Sequence, residues 1–297
     1  MSPELVSVVI PAYNAELTIR DALESVYQQS YKNVEVIVVD DGSTDGTKSI
    51  VEQEFPQVLL KASQNQGPSH ARNLGIDAAR GHWIAFLDAD DVWHPDKILH
   101  QVDVAQTDPS IGLVASDWTR RQEFRDVPKA LPVSHVGYRD LLVLNRFQTS
   151  TVLILRSVVQ RLNGFDQMVD GAEDWDLWLR AAQEARVVKV DWPLVMYRDV
   201  PTGYSKDVWR VYSTMLPMLE KHRNSEYINA ADFRAIESWH HLRFFVAFVL
   251  LKQYSQGFRA VKPTFSLRLV LGIIPATYRY LFPFLWTRMK KKSGQKV

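Results

Sequence analysis

The feature that most constrains the fold is the alternation of short β-branched runs with segments of helical spacing from Val6 to Leu87. Val6-Ser7-Val8-Val9-Ile10 is rich in strand formers and stops at Pro11, which has no N–H to give a sheet ladder. Ala15 to Gln29 then sets Leu17, Ala22, Leu23 and Val26 on one helical side. Val34 to Val39 reads as a second strand, and Thr44 to Glu54 as a helix with Ser43 or Thr44 as its N-cap. A short strand at Val58-Leu59-Leu60, a helix from Ser69 to Ala79 and a strand from His82 to Leu87 follow. Parallel neighbours need a crossover of this length, usually a helix, so the pattern predicts an α/β class with a mostly parallel sheet flanked by helices. In such sheets ligands bind beyond the carboxyl ends of the strands. Tyr13-Asn14, Asp40-Asp41 and Asp88-Ala89-Asp90-Asp91 all fall at such ends.

The last of these motifs carries chemistry. Three carboxylates within four positions repel one another unless a positive group sits among them. A hard divalent cation answers that need, because it takes oxygen ligands and keeps positions for substrate phosphates. The expectation is a metal–diphosphate site at a strand end.

Beyond Ser110 the pattern is less regular. Ile111 to Ala115, Thr151 to Leu155, Val187 to Val190 and Leu194 to Tyr197 read as strands, Glu173 to Ala185 as a helix, and the chain from Val208 onward as helical. The 297 residues contain no cysteine, so disulfides and thiolate metal sites are excluded. Met1 to Leu5 shows no basic, signal-like leader, and no uncharged apolar run is long enough for a conventional spanning helix. The net charge of +1 conceals an asymmetry. Residues 1–237 carry 24 basic and 34 acidic side chains, whereas the residues after Glu237 carry eleven basic and no acidic ones. In that tail, Phe244 to Leu251 and Leu267 to Trp286 are apolar and aromatic, and Arg288-Met289-Lys290-Lys291-Lys292 follows. This composition suits an interfacial membrane anchor; the alternative is a packed C-terminal helix pair with a solvated basic end.

Five segments stand together in order: Val8-Val9-Ile10-Pro11-Ala12-Tyr13-Asn14, Val38-Val39-Asp40-Asp41-Gly42-Ser43-Thr44-Asp45, Ala71-Arg72-Asn73-Leu74-Gly75, Phe86-Leu87-Asp88-Ala89-Asp90-Asp91 and Glu173-Asp174-Trp175-Asp176-Leu177-Trp178. Over about residues 5–200 the chain resembles a family 2 glycosyltransferase with the Rossmann-like GT-A fold. The resemblance implies a nucleotide-sugar donor, usually a UDP-sugar, held by residues 1–110. Pro11, Ala12 and Tyr13 match the segment along the base, and Asp41 or Asp40 the carboxylate that accepts from the uracil N–H. Arg72 and Asn73 match the helix facing the nucleotide–sugar region. Asp88, Ala89 and Asp90 match the D-x-D motif, with Asp90 on Mn²⁺ or Mg²⁺ and Asp88 toward the ribose or the metal. Residues 111–207 would hold the acceptor, a glycan or lipid-linked saccharide, with Asp174 as catalytic base. Glu173, Trp175, Trp178, Thr149 and Arg198 are the candidates for the acceptor side or its covering loop. Residues 208–297 form the helical, basic appendage, so the implied enzyme works in the cytoplasm at the inner membrane face, without nucleic acid. The family's processive members carry a Gln-x-x-Arg-Trp motif, absent here, which implies single-sugar transfer with inversion.

Each residue also has a plainer reading. Asp40-Asp41-Gly42-Ser43 suits a turn and helix cap. Asp88-Ala89-Asp90-Asp91 suits the start of a helix near Pro95, with Asp91 the best placed to cap it. Glu173 and Asp174 also open a helix, whose N-terminus would lower the Asp174 pKa and keep it ionised. Trp175 and Trp178 suit a core, and the hydroxyls of Gln148-Thr149-Ser150-Thr151 suit a strand cap. Nucleotidyl transfer would require a glycine- and lysine-bearing loop after the first strand, where Pro11-Ala12-Tyr13-Asn14-Ala15-Glu16 has neither. A non-catalytic nucleotide-sugar-binding scaffold would have no need of Asp90 and Asp174.

Overall fold

The β-rich and helical runs of the first 90 positions take the forms their patterns predict. In the computed structural model of the chain, residues 3–128, 130–198, 207–262 and 275–281 are described. In chain order they form β1 (Val6–Ala12), α1 (Ile19–Tyr27), β2 (Val34–Asp40), α2 (Thr47–Glu54), β3 (Leu59–Ala62), α3 (Pro68–Ala78), β4 (Trp83–Phe86), β5 (Val92–Trp93) and α4 (Lys97–Ala105). There follow β6 (Ile111–Thr119), β7 (Val133–His135), α5 (Tyr138–Val143), β8 (Leu153–Leu155), α6 (Arg156–Arg161), α7 (Glu173–Glu184) and β9 (Arg186–Met196). Last come α8 (Val208–Lys221), α9 (Ala230–Leu250) and α10 (Tyr254–Val261). The chain divides into two compact units, Met1–Leu141 with Asn145–Val200, and Leu142–Leu144 with Pro201–Val297.

The first unit is built on one sheet in the order β3-β2-β1-β4-β8-β6-β9-β5, with β7 also beside β9. β1 to β4 pair in parallel. β8 enters antiparallel between β4 and β6, so the second half of the sheet is mixed. The strands expected at Val187–Val190 and Leu194–Tyr197 are one strand, β9. Its register against β6 slips at Asp117, opposite Pro193, where the missing N–H is tolerated in a bulge. Val6, Val8 and Ile10 are fully buried and set the core on one face of β1. On the other face α3 comes so close that a Cβ at Gly75 would lie 2.3 Å from a Val9 methyl.

Two helices start later than the spacing predicts. α1 begins at Ile19 after a turn onto the Ala15 carbonyl, and α2 begins at Thr47. Asp45, not Ser43 or Thr44, accepts the Thr47 N–H, at 3.0 Å. Ser43 instead accepts the Asn14 N–H at 3.0 Å, and Asn14 accepts the Thr44 N–H at 2.8 Å. These bonds stitch the loops after β1 and β2 together, with Asn14 in the left-handed region at φ 49°.

The second unit is helical, as the pattern from Val208 predicts. Asp207 caps α8 through the Arg210 N–H, and Asn229 caps α9 through the Asp232 N–H. Tyr212, Met215, Met218, Phe233, Ile236 and Phe248 are buried between the helices. α10 closes on α9 through Gly257, whose Cβ position lies 3.4 Å from both Phe245 and Phe248. In residues 275–281, the Tyr280 ring lies tilted against Trp239 with centres 6.0 Å apart, and Arg279 pairs with Asp232 at 2.6 Å. This part of the tail packs against α9. The rest of the segment from Leu267 to Trp286, and Arg288 to Lys292, lie outside the described residues. Among the described residues no helix is long and apolar enough to cross a membrane.

Candidate active site

The parallel register brings the polar strand ends together. Ala12 lies opposite Asp40, and the Asp41 N–H donates to the Ala12 carbonyl at 2.8 Å. Pro11 and Ala12 therefore close β1 beside Asp40 and Asp41, and Tyr13 follows with its ring half exposed. Asp40 is buried and accepts the Ser43 N–H at 3.3 Å. Asp41 is buried too, and its two oxygens accept the N–H groups of Gln66 at 3.0 Å and Gly67 at 2.8 Å. Asp41 thus fixes the loop that leads into α3.

β4 ends at Phe86, and the carboxylates of Asp88, Asp90 and Asp91 follow. Buried Arg72, from α3, reaches Asp88 at 2.7 Å and Glu173 at 3.1 Å. It also lies 5.3 Å from the centre of the Phe165 ring. Glu173 accepts the Gly171 N–H at 2.6 Å. Asp174, partly buried at the first turn of α7, accepts from Asn145 Nδ2 at 3.2 Å. Arg72 therefore ties the carboxylates beyond β4 to the start of α7, across 101 positions of sequence. Its charge interacts with Asp88, Glu173, Asp174 and Asp90. With Arg72 and, at Asp90, the Arg198 charge opposing them, the four acids still leave the cluster with excess negative charge.

The acids register this. Burial, then the Asp88 charge, pushes Asp90 up to about 6. The same two causes push Asp91 up to about 8. Burial and the neighbouring Glu173 push Asp174 up to about 7, with Arg72 opposing. This corrects the expectation that the helix N-terminus lowers the Asp174 pKa: desolvation of the carboxylate outweighs the N-terminal dipole.

The donor set fits a divalent cation whose coordination is completed by a diphosphate. Asp88 and Asp90 leave one strand end with excess negative charge, and one or two carboxylates with substrate phosphates are a usual Mg²⁺ arrangement. Among the described residues no group of three or more His, Asp or Glu side chains is placed to hold a metal alone.

Several predicted residues have other work. Asn73 does not face the cluster: its Nδ2 donates to the Phe165 carbonyl at 2.8 Å and its Oδ1 accepts the Phe165 N–H at 2.8 Å. That clamp requires Gly164, at φ 66°, where a Cβ would lie 2.3 Å from Asn73 Oδ1. Trp178 is fully buried against Phe86, Phe147 and Phe165, so it forms core and has no face for a sugar. Trp175 is 6% exposed and donates from Nε1 to the Leu141 carbonyl at 2.6 Å. Thr149 is buried in a 3-10 turn, Thr149–Thr151, and Ala89 is buried too. Asp91 does not cap α4, whose N-cap is Asp96. It accepts the Ser150 hydroxyl at 2.5 Å and the Arg198 N–H at 3.2 Å. The Arg198 guanidinium pairs with Asp21.

Sequence reasoning missed the residues that organise the cluster. Ser150 accepts the Asp88 N–H at 3.1 Å while bonding Asp91, and Trp93 Nε1 holds the Ser150 carbonyl at 2.8 Å. The Gln148-Thr149-Ser150-Thr151 hydroxyl run was the available signal. The Asp176–Arg180 pair, whose guanidinium grips the carbonyls of Leu162 and Gly164, was signalled by its i,i+4 spacing on the predicted helix, whereas Asn145 left no signal.

Comparisons with known proteins agree with this architecture. The model of the glycosyl transferase family 2 matches residues 7–161. A UDP-Glc:alpha-D-GlcNAc-diphosphoundecaprenol beta-1,3-glucosyltransferase of Escherichia coli is 33% identical over 59% of this chain and 69% of its own length. The chain spans only 58–66% of the length of several other curated relatives. The solved structure of Staphylococcus aureus TarS 1-349 with UDP-GlcNAc is similar at a TM-score of 0.68 and 20% identity, covering 98% of this chain and 92% of that one. A mannosyltransferase from Pyrobaculum calidifontis, solved with GDP-Man and Mn²⁺, is similar at a TM-score of 0.64 and 23% identity, covering 96% and 84%. With the family match extending over more than half of its residues and a sheet that ends in this carboxylate cluster, the chain belongs to glycosyl transferase family 2 and has the GT-A fold.

Proposed function

We propose that this family 2 glycosyltransferase moves a single sugar from a UDP-sugar to a hydroxyl of a glycan or lipid-linked saccharide, with inversion at the anomeric carbon. The observation that carries the reading is the Arg72 bridge, which holds Asp88 and Glu173 on one guanidinium with Asp174 next in the chain. A metal end and a base end joined this way suit a reaction with one leaving diphosphate and one attacking hydroxyl. The E. coli relative, named for a UDP-sugar donor and a diphosphoundecaprenol-linked acceptor, supports the substrate classes.

Residues 1–110 form the donor half, with Pro11, Ala12, Tyr13 and Asp40 along the base. Asp41 shapes this half through the Gln66–Gly67 loop. Asp90, with Asp88, would hold Mn²⁺ or Mg²⁺, whose charge would neutralise the diphosphate as a leaving group. Residues 111–207 form the acceptor half. Ionised Asp174 takes the proton of the acceptor hydroxyl as its oxygen bonds to the anomeric carbon. The carbon–oxygen bond to the diphosphate breaks on the opposite side, and the diphosphate departs with the electron pair. Glu173 and Arg72 position that base, and Asn145 orients its carboxylate. Residues 208–297 hold the enzyme at the cytoplasmic membrane face, where a lipid-linked acceptor is locally concentrated.

Incubation with a panel of nucleotide-sugars and Mn²⁺ tests the reading. Acceptor-dependent release of nucleoside diphosphate is expected. Release of pyrophosphate would assign nucleotidyl transfer instead, and metal-dependent binding without turnover on any acceptor would assign a scaffold.

A further inference from the structure

The join between α9 and α10 exposes apolar surface that the second unit does not use for its own core. Leu250 is 61% exposed, Leu251 52%, Tyr254 57% and Phe258 68%, all within nine residues. Neighbouring Val249 is 37% exposed. The same helices bury their other sides: Phe244 and Phe248 on α9, and Gly257, Ala260 and Val261 on α10. The elbow is therefore well anchored from behind. Its turn is set by Lys252 in the left-handed region at φ 60°, with the Gln253 N–H on the Phe248 carbonyl at 2.8 Å. Lys252, Arg259 and Lys262 are exposed among the apolar side chains. No acidic residue occurs anywhere after Glu237.

Four large apolar or aromatic groups interleaved in sequence with three cations, on a stretch of chain that carries no acid of its own, match the chemistry of an anionic bilayer surface. The acid nearest in the fold is Asp207 at the start of α8, through Trp209, which packs on Phe248 and under Arg259. Apolar tips enter the acyl boundary while lysine and arginine stay with the headgroups. A protein partner of opposite character would need acids paired to these cations and an apolar face over the same residues, and nothing in the fold favours one. We propose that the α9–α10 elbow, with Leu250, Leu251, Tyr254 and Phe258 as its inserting side chains, is the part of this chain that enters the membrane. The proposal rests on the membrane-face reading given above and locates it outside the lysine run at residues 290–292.

The test uses the full chain, floated with vesicles of phosphatidylcholine alone or mixed with phosphatidylglycerol. Binding is expected to the anionic vesicles and to weaken with salt. The paired substitution Leu250→Ser with Leu251→Ser, and separately Phe258→Ser, should lower the vesicle partition coefficient roughly tenfold or more. An unchanged melting temperature and unchanged transfer to a soluble acceptor would show that folding and catalysis survive. Lys290→Gln with Lys291→Gln should cost less than the elbow changes. Wild-type chain that binds anionic vesicles while both elbow variants bind equally well would overturn the elbow and leave the membrane-face reading standing. Wild-type chain that stays with the aqueous phase would overturn both. Loss of self-association, rather than of vesicle binding, in the elbow variants would make this face a contact between copies and overturn the proposal.

Discussion

Replacing Arg72 with alanine removes the buried guanidinium that joins Asp88 to Glu173. The guanidinium is 7% exposed, Glu173 11% and Asp88 30%. Loss of one partner from a buried ion pair costs about 3–5 kcal/mol, because the remaining charges stay buried without compensation. Asp88 recovers part of its hydration through its exposed edge, which places the expected loss near the lower end, about 3 kcal/mol. In urea this moves the unfolding midpoint down by roughly 1–2 M. A second effect is chemical. Arg72 opposes the rise of the Asp174 pKa, so its removal moves the acidic limb of the pH–rate profile upward from about 7. Arg72→Lys keeps the charge but cannot offer two forked contacts, and should fall between. Urea titration and a pH–rate profile on residual activity measure both effects. An Arg72→Ala protein with the parent's urea midpoint and an unmoved acidic limb would refute the bridge as the organiser of the site.

Other expectations follow from the same contacts. Gly164→Ala forces a side chain into φ 66° and onto Asn73 Oδ1. It should cost about 2 kcal/mol, from backbone strain plus a lost hydrogen bond, read by thermal unfolding. Asp174 titrates at about 7 when folded, against about 4 in the unfolded chain. The native state thus holds the extra proton between these values. Its contribution to stability is present at low pH and lost as pH rises through 7, while transfer rises over that range as the base ionises. Asp174→Asn should flatten that part of the stability–pH curve; an unchanged slope by urea unfolding would deny that Asp174 is its source. Ser150→Ala frees the Asp91 carboxylate and removes the acceptor for the Asp88 N–H. It should weaken Mn²⁺-dependent donor binding by roughly tenfold, measured by calorimetry, and equal binding would remove Ser150 from the arrangement.

The parallel half of the sheet was legible because its signals are local. Strand runs, punctuating Pro11 and Gly42, and acids at strand ends each sit within a few residues of the structure they specify. The GT-A fold and the family followed from those motifs in order. The failures share one cause: the deciding partner is far away in sequence. Asn73 looks like a site residue until Phe165 takes both arms of its amide. Trp178 lies on the same helix as Asp174, yet the aromatic cluster of Phe86, Phe147 and Phe165 draws it into the core. The rise in the Asp174 pKa comes from burial, which no spacing encodes, and it overrode a helix-end effect that spacing does encode. Ser150 sits in a hydroxyl run whose plainer use, capping, was as consistent with the sequence as its bond to Asp91.

In the proposed reaction labour is divided between Asp90 on the donor's metal and Asp174 on the acceptor's proton. Calorimetric binding of Mn²⁺ with a UDP-sugar, paired with nucleoside diphosphate release on the same preparations of Asp90→Asn and Asp174→Asn, tests it most directly. Asp90→Asn is expected to lose metal-dependent donor binding, whereas Asp174→Asn should bind donor as the parent does and lose transfer. Transfer at the parental rate by Asp174→Asn, or unaltered metal-dependent binding by Asp90→Asn, would contradict it.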